Sequence, residues 1–395
     1  MFLRIANRIQ PSARPAILPT MLVLRLTLLV AAAATVAAQT PPAAQAPSQP
    51  QPVWQMQESG TTAGLRGIDS VDGTVAWASG TGGTVLKTTD AGQHWQKCVV
   101  PDADKDGTTL DFRGVQAWDA TTAIVMASGP GDKSRLYKTT DGCSSWRLLL
   151  TNPDKDGFWD TYRRDQRGYE GLLIGDPVND HFAIWQIGRD DSSFEDKRLR
   201  HTPRVHKGEA AFAASNSAIF VDDVFFDFWI ATGGKNGARV IKRIDHDFDS
   251  FGFDTFPSSV VPVGQKVESS GIFGLSFRKG PHTSNPEKRF LSGIAVGGDY
   301  TKPNENNATA AWSSDGGLHW TPSTTPPHGY RSTVQWSDSL KLWITAGTNG
   351  SDISRDDGRT WQPLDNGNWN ALSLPFIVGP QGRIAKLNPQ AIPKP

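Results

Sequence analysis

The sequence predicts an all-β fold: a seven-bladed β-propeller of four-stranded antiparallel blades, its ring closed by the N-terminal strand. Three observations carry this. A phrase occurs four times, as "KTTDAGQHW", "KTTDGCSSW", "WSSDGGLHW" and "SRDDGRTW". Apolar runs ending in small residues recur as "TVAWASGTGG", "TAIVMASGPG", "GLLIGDPV", "FWIATGGKNG", "GIAVGGDYTK", "LWITAGTNGS" and "PFIVGPQGRI". Ahead of them stand opening runs: "LRGIDSVD", "FRGVQAWD", "FWDTYRRD", "AAFAASNS", "IFGLSFRK", "YRSTVQWS" and "WNALSLP". The openings fall roughly 40–60 residues apart, the spacing of propeller blades.

Each repeated phrase reads Ser/Thr-x-Asp-x-Gly-x-x-Trp. Its members are Thr88, Asp90, Gly92 and Trp95; Thr139, Asp141 and Trp146, with Cys143 in the glycine place; Ser313, Asp315, Gly317 and Trp320; and Ser354, Asp356, Gly358 and Trp361. An Asp shortly before a Gly can accept the turn's own N–H groups, while Gly takes positive φ freely. The hydroxyl adds a local bond and Trp anchors the returning strand. The phrase is therefore read as a hairpin corner, and its aspartates as structural. The third and fourth units keep Asp190 and Asp245 but lack the glycine and tryptophan. The seventh unit ends one strand short at "GRIAKL", and "PVWQMQES" near residues 52–59 is expected to supply that outer strand.

Composition agrees. The 39 glycines and 14 tryptophans favour many short strands over long helices. Lys+Arg and Asp+Glu both number 40, so net charge points to neither nucleic acid nor an anionic membrane surface. Arg25, the apolar run "LTLLVAAAATVAA" and the small residues Val36-Ala37-Ala38 read as an export signal over residues 1–38, with Met21 a possible true start. A Pro/Ala/Gln linker follows at 39–52, and the propeller occupies 53–395. The chain is expected to be exported, periplasmic or secreted, without an integral span in its mature part. Cys98 and Cys143 are then expected to pair in an oxidising compartment. The eight histidines are scattered without a metal motif, and the glycine-rich stretches lack a phosphate-loop Lys-Ser/Thr. No metal, cofactor or nucleic-acid partner is expected, and the ring is expected to be monomeric.

The four phrases match the Asp-box, or BNR, repeat. The whole pattern resembles the photosystem II stability/assembly factor-like propellers, including their bacterial relatives. The residues that carry this are the openings "LRGI" and "FRGV", the "KTTD" corners, "VGGDY", "GEAAFAASN" and the closing "FIVGPQGRIAKLNP". The resemblance spans residues 53–390 and implies a seven-bladed scaffold; in photosynthetic relatives it implies a chaperone-like role in assembling a membrane complex.

Opening strands line a propeller's channel, and ligands usually meet one end of it. Aligning the seven openings places Arg66, Arg113, Asp160, Ala213, Gly274, Arg331 and Asn370 at equivalent positions. Arginines converging there suit a carboxylate, a phosphate or an acidic peptide, or else they bridge neighbouring blades. Asp176, Glu209, Asp299 and Tyr300 are strand-end candidates for the same face, with turn roles as the alternative for Asp176 and Asp299. Two functions follow. One is a non-enzymatic scaffold for an unknown protein or peptide client, using Arg66, Arg113, Arg331, Asp160, Asn370 and Glu209. The other is a sialidase-like glycoside hydrolase using Asp160 with Tyr169 and Glu170. Against the second, Tyr169 and Glu170 are adjacent and would face opposite ways on a strand, and sialidases have six blades.

Overall fold

The structure, a computed structural model, describes residues 51–394 apart from 102–109, 165–169, 189–197, 200, 223–226, 244–255 and 281–289. The leader, most of the linker, Tyr169, Asp190 and Asp245 lie outside the described residues.

Seven antiparallel sheets make up the described residues. The first blade runs Leu65–Ser70, Ala76–Gly80, Thr84–Thr88 and Gln96–Cys98, and the second Phe112–Ala117, Ala123–Ala127, Arg135–Thr139 and Arg147–Thr151. The third has Trp159–Arg164, Glu170–Val178 and His181–Gly188, its outer edge bridged by Arg198 and Arg204. The fourth is Ile219–Val221, Phe228–Ala231, Ala238–Arg243 and Ser258–Val261, and the fifth Ser270–Lys279, Phe290–Asp299, Ala310–Ser313 and Thr321–Pro322. The sixth is Thr333–Ser337, Leu342–Gly347, Gly350–Ser354 and Gln362–Asp365. In the seventh, Ala371–Ser373, Phe376–Val378 and Ile384–Leu387 receive Trp54–Gln57 as their outer strand, with Trp54 opposite Leu387. The innermost strands touch in sequence order, and the seventh returns to the first. The fold is a seven-bladed β-propeller closed by its N-terminal strand.

The repeated phrase folds as its chemistry dictates. At the first corner, Thr88 Oγ1 donates to Asp90 Oδ1 at 2.8 Å and accepts from Gly92 N at 2.9 Å. Asp90 Oδ1 also accepts from His94 N at 2.9 Å. The same three bonds recur around Asp141, Asp315 and Asp356. At the second corner Cys143 holds the left-handed conformation, φ 68°, that glycine takes elsewhere. Its sulfur is bonded to Cys98 on the outer strand of the first blade. The corner tryptophans wedge between blades: Trp95 meets Phe376 edge-on, Trp146 meets Trp77, and Trp361 packs with Ile294 and Val296. The boxes are joints between sheets as well as corners within them.

Small residues close the second strands because backbone passes directly over them. A Cβ added at Gly80 would lie 2.4 Å from the Gly64 carbonyl oxygen, and one at Gly347 would lie 2.1 Å from that of Tyr330.

The fourth opening departs from expectation. Its inner strand is Ile219–Val221, whereas residues 210–217 cross the channel. Ser215 Oγ donates to Ser332 O on the sixth blade at 2.6 Å. Asn216 donates to Tyr162 O and accepts from Tyr162 N on the third, both at 2.8 Å. Arg113 on the second blade holds Ala213 O at 3.1 Å, and Ser217 O accepts from Leu275 N on the fifth.

Candidate functional site

A cavity of about 580 Å³ opens where the inner strands begin. The crossing segment forms part of its lining through residues 210–214, and the opposite end of the channel holds a separate polar cavity near Asp69, Arg163 and Gln335.

Four inner strands carry a β-bulge at the mouth: between Leu65 and Gly67, Phe112 and Gly114, Trp159 and Thr161, and Ile272 and Gly274. The unpaired residue of each, namely Arg66, Arg113, Asp160 and Phe273, lines the cup, as bulges re-aim a side chain. On the sixth and seventh blades, Ser332 and Asn370 take this place. The aligned Ala213 also lines the cup, but from the crossing segment.

Two of the aligned positions are thus corrected by one residue. In the fifth blade the mouth residue is Phe273, and Gly274 is packed where a Cβ would lie 2.8 Å from Thr333 Cα. In the sixth it is Ser332, and Arg331 points into the blade, fully buried. A shift of one residue turns a strand side chain to the opposite face. Arg331 Nε donates to Asp352 Oδ2 at 2.6 Å and Nη1 to Tyr330 O at 2.6 Å. His328 Nδ1 lies 2.7 Å from Asp352 Oδ1. Burial pulls the Arg331 pKa down against the charge of Asp352. Arg331 is a structural ion pair, absent from the cup lining.

Glu209 is corrected too. Its oxygens accept from Arg239 Nε at 2.6 Å, Arg239 Nη2 at 2.8 Å, Thr232 Oγ1 at 2.7 Å and His206 N at 2.8 Å. It pins the start of the crossing segment to the fourth blade and is absent from the cup lining. Asp299 is a turn residue, accepting from Thr301 N and Oγ1, while Tyr300 lines the cup. Asn370 lines it as well, but its amide bridges blades by donating to Leu65 O at 2.7 Å.

Arg66 and Arg113 converge on one carboxylate. Arg113 Nε donates to Asp111 Oδ2 at 2.8 Å, and Arg66 Nε stands 3.2 Å from the same oxygen without an aligned hydrogen bond. Both guanidinium groups remain partly exposed to the cup. Beside them are two carboxyls, Asp160 buried and Asp176 partly buried. Burial, and then the charge of Asp176, push Asp160 well above the usual carboxylate range, against Arg113. Burial lifts Asp176 to about 6, although the Ala211 N–H bonds its ionised form. Asp176, a strand-end candidate from the sequence with a turn role as the alternative, lines the cup, while its backbone N–H donates to Phe158 O at 2.8 Å. Aromatic rings form another part of the wall. Phe212 stacks on Phe273 at 4.0 Å between ring centres, and Phe273 meets Tyr330 edge-on at 4.9 Å.

Of the glycosidase set, Tyr169 lies outside the described residues, and the backbone positions of the other two are far apart. Asp160 sits by Gly175 at the mouth, whereas Glu170 begins that second strand, on the order of 15 Å away at strand rise. Among the described residues, no group of three or more His, Cys, Asp or Glu side chains is placed to hold a metal ion. No helix among them is long and apolar enough to cross a membrane.

No family model and no curated protein matches the chain. The architecture is similar to solved structures. YCF48 from Cyanidioschyzon merolae gives a TM-score of 0.58 at 16% identity, over 86% of this chain and 99% of that one. A structure of YCF48 bound to D1 peptide gives 0.55 at 17% identity, over 86% and 98%. The chain shares the propeller fold of YCF48.

Proposed function

We propose that this chain is a non-enzymatic propeller that binds the carboxylate of a client peptide on Arg66 and Arg113, as an assembly or stability factor for an envelope complex. One observation carries the reading: two partly exposed guanidinium groups share a single carboxylate at the mouth of an aromatic-walled cup. Their forks retain N–H donors for a second anion, and paired donors suit a planar carboxylate. The volume fits a few side chains, typical of a ligand site. That a fold neighbour is a D1-peptide complex supports a peptide client. The signal-like leader supports export, and the Cys98–Cys143 bond is consistent with an oxidising compartment.

The test is an array of random decapeptides with free or amidated C-termini, probed with wild type and with the Arg66→Ala/Arg113→Ala variant. Wild type is expected to retain a carboxylate-bearing subset; the variant loses it by tenfold or more while melting within a few degrees of wild type. Equal retention by a folded variant would overturn the reading.

A further inference from the structure

We propose that Asp160 and Asp176 form a second subsite in this cup, which takes an ammonium or guanidinium group of the bound peptide. This rests on the reading of Arg66 and Arg113 as the carboxylate subsite and extends it: the cup holds a negative and a positive group of one peptide end side by side.

Three observations converge. The bulge in the third blade turns Asp160 into the cup, yet the residue is only 2% exposed and its Oδ2 has no hydrogen-bond partner. Asp176, on the adjoining strand and lining the same cavity, likewise has a buried Oδ1 without a partner. Buried carboxylate oxygens are normally paired, because leaving one unmade costs its full desolvation. Charge is also out of balance. Asp111, Asp160 and Asp176 face two cations, Arg66 and Arg113. Arg113 already spends Nε on Asp111 and Nη1 on the Ala213 carbonyl, so it acts on Asp160 through charge.

The other groups facing the pair cannot fill the deficit. Ala211 donates one backbone N–H to Asp176, and Phe158, under the Arg113 guanidinium at 5.8 Å, offers only its ring. Tyr300 and Tyr330 belong to the far wall, and burial drives the Tyr330 hydroxyl further from ionisation. An empty cup can meet the imbalance with a proton, in keeping with the raised pKa of both acids. A ligand cation replaces that proton: the ammonium donates to the two open oxygens and the proton leaves to solvent. The aromatic wall adds a favourable face for a cation. The peptide end that satisfies both subsites carries a free C-terminal carboxylate and a basic side chain.

The experiment uses three acetylated tetrapeptide probes: Ala-Ala-Ala-Lys with a free C-terminus, the same with norleucine in place of lysine, and the lysine peptide amidated. Calorimetry at pH 7.5 is expected to show the free lysine peptide binding at least tenfold tighter than the norleucine one. Asp160→Asn is expected to erase that preference while keeping the carboxylate requirement; Asp176→Asn provides the same reading if the first variant does not fold. Near pH 5.5, titrations in two buffers of different ionisation enthalpy are expected to show proton release on binding the lysine peptide alone. Equal affinity for lysine and norleucine peptides, both lost in Arg66→Ala/Arg113→Ala, overturns the acid subsite and leaves the carboxylate subsite standing. Indifference to amidation with lysine still preferred overturns the arginine reading instead. Absence of binding by every probe overturns both.

Discussion

Arg113 and Arg331 are the same residue type on neighbouring faces of equivalent strands, and their environments are opposite. Arg113 sits on a bulge, partly exposed, with one carboxylate shared with Arg66. Arg331 stands one register position earlier, where the first blade has Leu65, and is sealed against Asp352, Asn349 and Tyr330. A buried, fully bonded guanidinium is committed to holding its blade together. One that faces solvent with donors to spare can hold something else. Register, set by the bulge, decides which role an arginine has.

The contrast can be broken most directly at Arg331. Arg331→Met is expected to lower stability by about 3–5 kcal/mol in urea unfolding, because Asp352 is left a buried charge short of its partner. Arg113→Met, measured alongside, is expected to change it by no more than about 1 kcal/mol. Equal losses would mean that both arginines are structural. Asp111→Asn sharpens the comparison from the acid side. It removes the internal anion that Arg66 and Arg113 share, so a stability loss of about 1–2 kcal/mol is expected, together with tighter binding of free-carboxylate peptides. Weaker peptide binding would make Asp111 an orienting partner for the arginines instead of a competitor.

The smallest effect is expected at a carboxylate that is satisfied but exposed. The His94 backbone and side chain hold Asp90 down at about 2, below its ordinary 3.8. A depressed carboxyl contributes stability above its unfolded pKa and loses it as pH falls through the folded value. Asp90→Asn is therefore expected to lower the melting temperature by on the order of 1–2 °C at pH 6, the gap narrowing from pH 4 towards 2. A gap that does not change with pH would assign the effect to geometry alone.

The corners were legible because everything that makes them lies within eight residues: the hydroxyl, the carboxylate, the left-handed residue and the tryptophan. Strand openings and ring closure were legible from period and from the missing outer strand. The mouth was harder. The register of the openings was off by one residue in the fifth and sixth, since Gly274 occupies the small residue's position and Arg331 the large one's. The usable signal is a large residue, then the mouth residue, then a small one, as in Leu65-Arg66-Gly67, Trp159-Asp160-Thr161 and Trp369-Asn370-Ala371. The path of residues 210–217 was not legible, because its partners Ser332, Tyr162 and Leu275 belong to three other blades. Asp176 was legible as a strand-end candidate, but its pairing with Asp160 was not, since that depends on the register of two strands.

The first described strand, Trp54–Gln57, completes a sheet whose other members are the last three. A ribosome making this chain from its N-terminus must therefore finish nearly all of it before Trp54 meets Leu387. Until then the seventh sheet lacks its outer strand, and loss of residues 384–387 would take away the strand that Trp54–Gln57 pairs with. Ring closure thus depends on strands from both ends of the described chain.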